Sequence, residues 1–240
     1  MFYFDSISKP GGRKMNEDSI GTLNKNGQTL FALADGLGGH GGGDIASALV
    51  VSKALEVFDS STENCDLPFC FFEGQNALMD KQRRLGRHND LKTTLVLLLM
   101  YGNSAIWGHI GDSRLYAFDR GKITFRTKDH SVPQMLVNTG EILEKNIRFH
   151  PDRNRLLRVM GIEWESPRFE ISDPIPANVG SSFLLCSDGF WELIDEKEIC
   201  RELKTASSPG EWLTGMERII IRNGHGKNMD NYSAIAVWVR

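Results

Sequence analysis

Short stretches in which apolar and polar residues alternate, or in which β-branched and aromatic residues accumulate, recur at 19–23, 29–34, 93–101, 105–110, 114–118, 122–125, 182–186 and 233–239. Alternation with a period of two marks a strand with one face on a core, and a short unbroken apolar run fits a strand buried on both faces. Several of these stretches are separated only by tight turns, at 101–104 and 119–122 for example, which predicts antiparallel hairpins. A helical period takes over elsewhere. Across 44–58 the polar positions Asp44, Ser52 and Glu56, with Asp59 just beyond, fall on about a third of the wheel, so this helix keeps one wet face. Residues 73–88 read as a second helix and 59–72 as a loop before it. Ser131 with Gln134, Asp195 with Glu198, and Ser208 with Glu211 have the spacing of capping boxes, and Pro209 takes the first helical position of the last. The resulting order of strands, helices, a strand group, helices, strand, helices and strand has no βαβα alternation. It predicts an α+β layering of antiparallel sheet covered by helices, and with no internal repeat or linker, one domain over 1–240.

Composition narrows the class without naming a function. With 240 residues, 40% of them apolar and 25% charged, the chain can bury a sizeable core. A net charge of -3 offers no overall basic field for nucleic acid or an anionic membrane. The cluster Lys81, Arg83, Arg84 and Arg87 reads as a solvated helix face. The most apolar run, 95–101, is far shorter than the roughly 20 residues of a membrane span, and the first residues lack the layout of a secretion signal. Cys65, Cys70, Cys186 and Cys200 show no C-x-x-C spacing, so they are expected to be reduced thiols in a cytoplasmic protein, not zinc ligands.

The segment LADGLGGHGGGDIAS, 33–47, holds a G-x-G-x-x-G at Gly36, Gly38 and Gly41 between an apolar run and a helical pattern. A dinucleotide pyrophosphate meets a helix N-terminus in such a setting. Two features oppose that reading. Asp35 aims a carboxylate where the phosphate would sit, and the acidic residue expected about 20 positions on, at the end of a second strand, is replaced by Glu56 and Asp59 at the end of a helix. A carboxylate in that turn suits a cation better. The Asp-Gly arrangement also recurs at strand ends, in Gly111-Asp112 and Asp188-Gly189, while Asp230 stands just before the last strand and Asp18 begins an early one. Singly, each is ordinary turn chemistry. Four carboxylates converging at about 5 Å would repel by roughly 3 kcal/mol per pair at an effective dielectric near 20, about 20 kcal/mol over six pairs. Divalent cations with oxygen ligands, Mg²⁺ or Mn²⁺ in preference to Zn²⁺, would relieve that repulsion.

R-x-x-x-E-D at 13–18, D-G-L-G-G-H at 35–40, T-T at 93–94, G-D-S-R at 111–114, D-H-S at 129–131, C-S-D-G-F-W-E at 186–192 and D-N at 230–231 resemble, in order and spacing over essentially the whole chain, the metal-dependent type 2C protein phosphatases of the bacterial branch. The resemblance implies a four-layer α-β-β-α sandwich of two mostly antiparallel sheets, with a metal centre in a cleft at one end. It implies a phosphatase acting on phosphoserine and phosphothreonine in proteins, opposing a bacterial Ser/Thr kinase, with two divalent cations and a third, weaker one. By matching position Asp35 bridges the two ions, the Gly36 carbonyl binds one of them, Asp188 and Asp230 bind the other, and Asp18 acts through water. Asp112 with Asp188 matches the third site, and Arg13 the grip on the substrate phosphate. Leu37 stands near where eukaryotic members carry a histidine able to protonate the leaving oxygen, so His40 and metal-held water are alternative proton donors. His109 reads as a packed strand residue, and His150, Arg153, Asn154 and Arg158 fall where the family's variable flap borders substrate. The competing class is a phosphatase-like binding module without catalysis, whose expected mark is a lost metal aspartate; Asp35, Asp188 and Asp230 are all present.

Overall fold

The computed structural model describes residues 2–38, 41–62 and 65–240. Strands β1 (Phe2–Lys9), β2 (Asp18–Lys25) and β3 (Gln28–Leu37) lead into helices α1 (Gly43–Ser60) and α2 (Leu67–Leu85). Then come β4 (Lys92–Thr93), β5 (Leu95–Tyr101), β6 (Ser104–Ile110), β7 (Arg114–Asp119), β8 (Lys122–Arg126) and α3 (Val132–Asn138). After a 3-10 turn at Glu144–Phe149 the chain forms β9 (Glu170–Ile171), β10 (Ile175–Pro176), β11 (Ser181–Cys186), α4 (Asp188–Trp191), α5 (Glu196–Thr205), α6 (Pro209–Gly224) and β12 (Tyr232–Val239).

Two sheets result, one in the order β1-β12-β11-β7-β8 and the other β10-β6-β5-β3-β2, with β4 also on β3 and β9 on β6. Every pairing is antiparallel. The central strands are buried on both faces, and their alternation sorts side chains between different cores. On β3, Leu30, Ala32 and Ala34 meet α1 and α2, whereas Phe31 and Leu33 face the other sheet. On β12, Ala234, Ala236 and Trp238 lie under the C-terminal helices, whereas Ile235, Val237 and Val239 point into the sandwich. Three apolar cores between four layers follow, which is the expected α-β-β-α arrangement. No described helix is long and apolar enough to cross a membrane.

The three expected helix starts are present. Ser131 accepts from the Gln134 amide, Asp195 and Glu198 form a reciprocal capping box, and Ser208 accepts from the Glu211 amide. The hairpin turns are where the turn residues put them, with Asp119 opposite Lys122 and Tyr101 opposite Ser104. Three expectations shift. β1 carries no strand pattern of its own; its polar residues disguise it, and it exists because β12 offers it a full-length edge, Phe2 opposite Val239 to Lys9 opposite Tyr232. α2 begins at Leu67, so most of 66–72 is helix and not loop. Leu67, Cys70, Phe71, Gly74 and Leu78 keep helical spacing toward α1, but the exposed Phe69 and Phe72 on the other side blur that stripe. The single strand expected over 93–101 breaks at Thr94, because its amide still donates to the Asp35 carbonyl opposite but the Asp35 amide returns to Thr94 Oγ1 and not to the Thr94 carbonyl.

Candidate metal centre

The ends of β3, β11 and β12 meet at one end of the sandwich. Asp18 and Asp35 stand directly opposite each other in the β2–β3 register. Asp188 opens α4 immediately after β11, and Asp230 lies two residues before β12, which pairs with β11. Asp35, Gly36, Asp188 and Asp230 thereby line one cleft of about 360 Å³, together with Arg13, Glu17 and Asn154. Asp18 and Asp112 are buried just behind its wall.

Asp35 is fixed through its backbone. The Asp35 amide donates to Thr94 Oγ1 at 2.9 Å, and its carbonyl accepts from the Thr94 amide at 2.9 Å and Thr93 Oγ1 at 2.7 Å. The paired threonines therefore aim Asp35 across the sheet end. Gly36 is needed for close approach: a Cβ there would stand 2.1 Å from the Gly43 carbonyl oxygen. The same crowding recurs at Gly38, whose Cβ would overlap the Glu17 carboxylate. These glycines bring chain segments together around carboxylates, and β3 lies between antiparallel neighbours, so the dinucleotide fingerprint is a coincidence of spelling.

The convergence, which spacing alone could not establish, perturbs the carboxylates. Burial pushes the Asp18 carboxyl up to about 7, with repulsion from Asp188 and Asp230 adding to it and the Ser233 and Ser187 hydroxyls opposing it. Asp35 is raised well above the usual carboxylate range by burial and by the negative charges of Asp188, Asp18 and Asp112. Burial also raises Asp112, which faces Asp188, and raises Asp188, which faces Asp230. Asp35 and Asp188 face each other within hydrogen-bonding reach. Glu192 is pushed to about 7 by burial and by Asp188, and Arg153 offsets part of this.

The residues present fit divalent cations. Asp18 Oδ1 is buried with no hydrogen-bond partner, while Oδ2 accepts from Ser187 Oγ at 2.9 Å. The donor set is all oxygen, which selects hard cations such as Mg²⁺ and Mn²⁺. Arg13 sits at the rim, half exposed, 2.9 Å from Asp230 Oδ2. Asn231 holds the loop that carries it, donating from Nδ2 to the carbonyls of Pro10 and Met15 and accepting from the Glu17 amide. The supporting roles of Asn231, Thr94, Ser187 and Glu17 were not assigned from sequence. Each sits in or beside a quoted motif, but only the folded register shows what it touches. Of the four flap residues, Asn154 reaches the cleft; Arg153 pairs with Glu192, Arg158 with Glu170, and His150 Nδ1 accepts from the Asp152 amide. His40 lies outside the described residues.

Away from the cleft, His109, His130 and Glu170 bring metal-ligand atoms within 4.8 Å of one another. Their hydrogen bonds exclude a metal site as built. His130 Nδ1 accepts from the Gly111 amide, so a neutral ring must carry its proton on Nε2, which faces Glu170 Oε1 at 3.1 Å. His109 Nε2 is committed to the Lys128 carbonyl at 2.9 Å. Burial lowers both imidazoles, His130 to about 4, so they stay neutral. His109 is a packed strand residue, as its sequence setting implied.

A two-sheet sandwich with helices outside and a carboxylate cleft at one end defines an architecture suited to hard cations. Known proteins place it further. The protein phosphatase 2C family profile matches residues 11–213, and the chain belongs to that family. It is 31% identical over 208 residues to a serine/threonine phosphatase, stp, of Listeria welshimeri, covering 83% of this chain and 81% of that protein. The crystal structure of the Mycobacterium tuberculosis serine/threonine phosphatase PstP/Ppp superposes with a TM-score of 0.86 at 29% identity, covering 100% of this chain and 99% of that one. The catalytic domain of the serine/threonine protein phosphatase PstP, in complex with two manganese ions, superposes with a TM-score of 0.84 at 27% identity over 99% of this chain and 97% of that one.

Proposed function

We propose that residues 1–240 act as one catalytic unit, a metal-dependent phosphatase that hydrolyses phosphoserine and phosphothreonine in proteins and opposes a Ser/Thr kinase in the cytoplasm. The observation that carries this reading is the meeting of Asp35, Asp188, Asp230 and Arg13 on one cleft from distant parts of the chain. Asp35, facing Asp188 on one side and paired with Asp18 on the other, would be the ligand shared between two ions. The Gly36 carbonyl and Asp18 would complete one side, Asp188 and Asp230 the other, and Asp112 with Asp188 a third site. Two divalent cations, when bound, supply a water of lowered pKa and neutralise charge on the phosphoryl group.

The protein's own groups do the rest. Arg13 presents a planar, permanently charged fork at the rim, suited to two oxygens of a phosphate. The threonine and serine hydroxyls beneath hold the carboxylates at fixed separations, so little reorganisation accompanies the developing charge. His40 and water are the alternative donors of the leaving-group proton. If His40→Ala lowers turnover of a phosphopeptide far more than of an aryl phosphate, whose leaving group needs no proton, the histidine is the donor.

The test is Mn²⁺-dependent turnover of p-nitrophenyl phosphate and of a phosphothreonine peptide. Chelator and Asp188→Asn should each abolish it, by 10³-fold or about 4 kcal/mol of barrier for the variant. Turnover that persists in chelator, or an Asp188→Asn variant of wild-type rate, overturns the proposal.

A further inference from the structure

We infer that His130 is a positioning residue for the metal centre, clamping the turn that carries Asp112 and tying it to the chain just beyond the cleft residue Asn154. This rests on the reading that Asp112 belongs to the metal centre. The turn joins β6 to β7, and Gly111 within it has φ +103, a conformation suited to glycine; a Cβ there would also meet Thr94 Cγ2 at 2.5 Å. Both main-chain groups of Gly111 bind this one histidine: its amide donates to His130 Nδ1 at 3.1 Å, and its carbonyl accepts from the His130 amide at 2.9 Å. The following residue is held from the other side, because Trp191 Nε1 donates to the Asp112 carbonyl at 3.0 Å. The buried Asp112 carboxylate, facing Asp188, thus hangs from a backbone pinned on both flanks.

His130 also reaches the flap. Its carbonyl accepts from the Leu157 amide at 2.8 Å, Ser131 bridges Leu156, and the Val132 amide donates to the Arg155 carbonyl at 2.9 Å. Residues 155–157 therefore run along 130–132 directly after Asn154, which lines the cleft. The ring itself is oriented by Glu170, which takes the Nε2 proton and is also 3.3 Å from Arg158, and by His109, stacked on it at 4.7 Å and 11°. The δ acceptor holds the Gly111 amide and the ε donor steadies the ring against Glu170, and the imidazole supplies both.

Two substitutions separate these duties. Asparagine places an acceptor near the δ position and cannot reach Glu170; glutamine places its amide near the ε position and leaves the Gly111 amide unpaired. Partners of metal-binding residues typically change metal affinity or activity by 10–100-fold when removed. His130→Gln should raise the half-saturating Mn²⁺ concentration by about 10-fold or more and lower kcat, with KM for the phosphopeptide within about twofold. In the metal-free protein it should also lose hydrogen-exchange protection at the Gly111 amide. His130→Asn should keep that protection and stay within about threefold of wild type in each quantity. Glu170→Gln, at an exposed position, retains the fold if His130→Gln does not, and should weaken Gly111 protection in the same direction.

Equal behaviour of the asparagine and glutamine variants, or unchanged Gly111 protection in both His130→Gln and Glu170→Gln, overturns the clamp. The exchange measurement needs neither metal nor turnover. Wild-type protein that fails to turn over substrate with Mn²⁺ would defeat the phosphatase reading, while Gly111 exchange would still decide whether His130 holds the turn.

Discussion

Replacing Asp18 by asparagine should stabilise the metal-free protein, and by an amount that depends on pH. Asp18 is 7% exposed and its carboxyl is raised from the ordinary 3.8 to about 7, first by burial and then by neighbouring carboxylates. The folded state therefore keeps a proton that the unfolded chain releases above about pH 4. That contribution to stability is fully present below the unfolded pKa and is lost as pH rises through the folded one. A difference of about 3 units at about 1.4 kcal/mol each makes the loss about 4 kcal/mol. Asparagine has the same shape and never ionises, so the Asp18→Asn variant escapes the loss. Its advantage over wild type should be small at pH 4, grow by about 1.4 kcal/mol per pH unit, and level off near 4 kcal/mol above pH 7. His109 and His130, both lowered by burial, act in the opposite sense, since the unfolded chain takes up protons on them below about pH 6.5. They are common to both proteins and cancel in the difference. Urea unfolding in chelator across pH 4 to 8 reads the effect directly. An advantage that is constant with pH, or that shrinks as pH rises, would refute the reasoning. Added Mn²⁺ should reverse the order, because a ligand stabilises the state that binds it.

Two further substitutions probe the frame around the cleft. Gly36→Ala drives a methyl into the Gly43 carbonyl oxygen at 2.1 Å and towards the Glu17 carbonyl at 2.7 Å, backbone on both sides, so it should cost about 3 kcal/mol or more in denaturant unfolding; wild-type stability would show that the two segments are not in contact. Arg114→Met strands Asp129, which Arg114 binds with two hydrogen bonds of 2.8 and 2.7 Å where both side chains are at most 2% exposed, and should cost about 3–5 kcal/mol, much of it recovered by neutralising Asp129 as well. No recovery in the double variant would place the cost in lost packing over Trp191, 3.4 Å from the guanidinium.

Much of the fold was written locally. The caps at Ser131, Asp195 and Ser208 were legible because a hydroxyl or carboxylate three residues before its amide partner needs nothing beyond its own turn of helix. The hairpins were legible because their turn residues fix the reversal, and the inner strands because apolar runs of that length have few other uses. β1 was not, since FYFDSISK acquires strand structure from the β12 edge and not from its own pattern. The start of α2 was hidden by Phe69 and Phe72, apolar residues that face outward.

At the candidate site the sequence by itself determined the residue types: aspartates beside glycines at strand ends, an arginine ahead of them, and motifs that mark the family. Only the tertiary structure decided which of those aspartates share a cleft, which lie behind its wall, and that His130, 19 residues from Gly111, and Asn231, more than two hundred from Pro10, Met15 and Glu17, hold the loops in place. The reason is physical. Capping and turn formation are settled by hydrogen bonds a few residues apart, whereas repulsion between carboxylates depends on distances across strands, and those are set by sheet register and by how closely glycine lets two backbones approach.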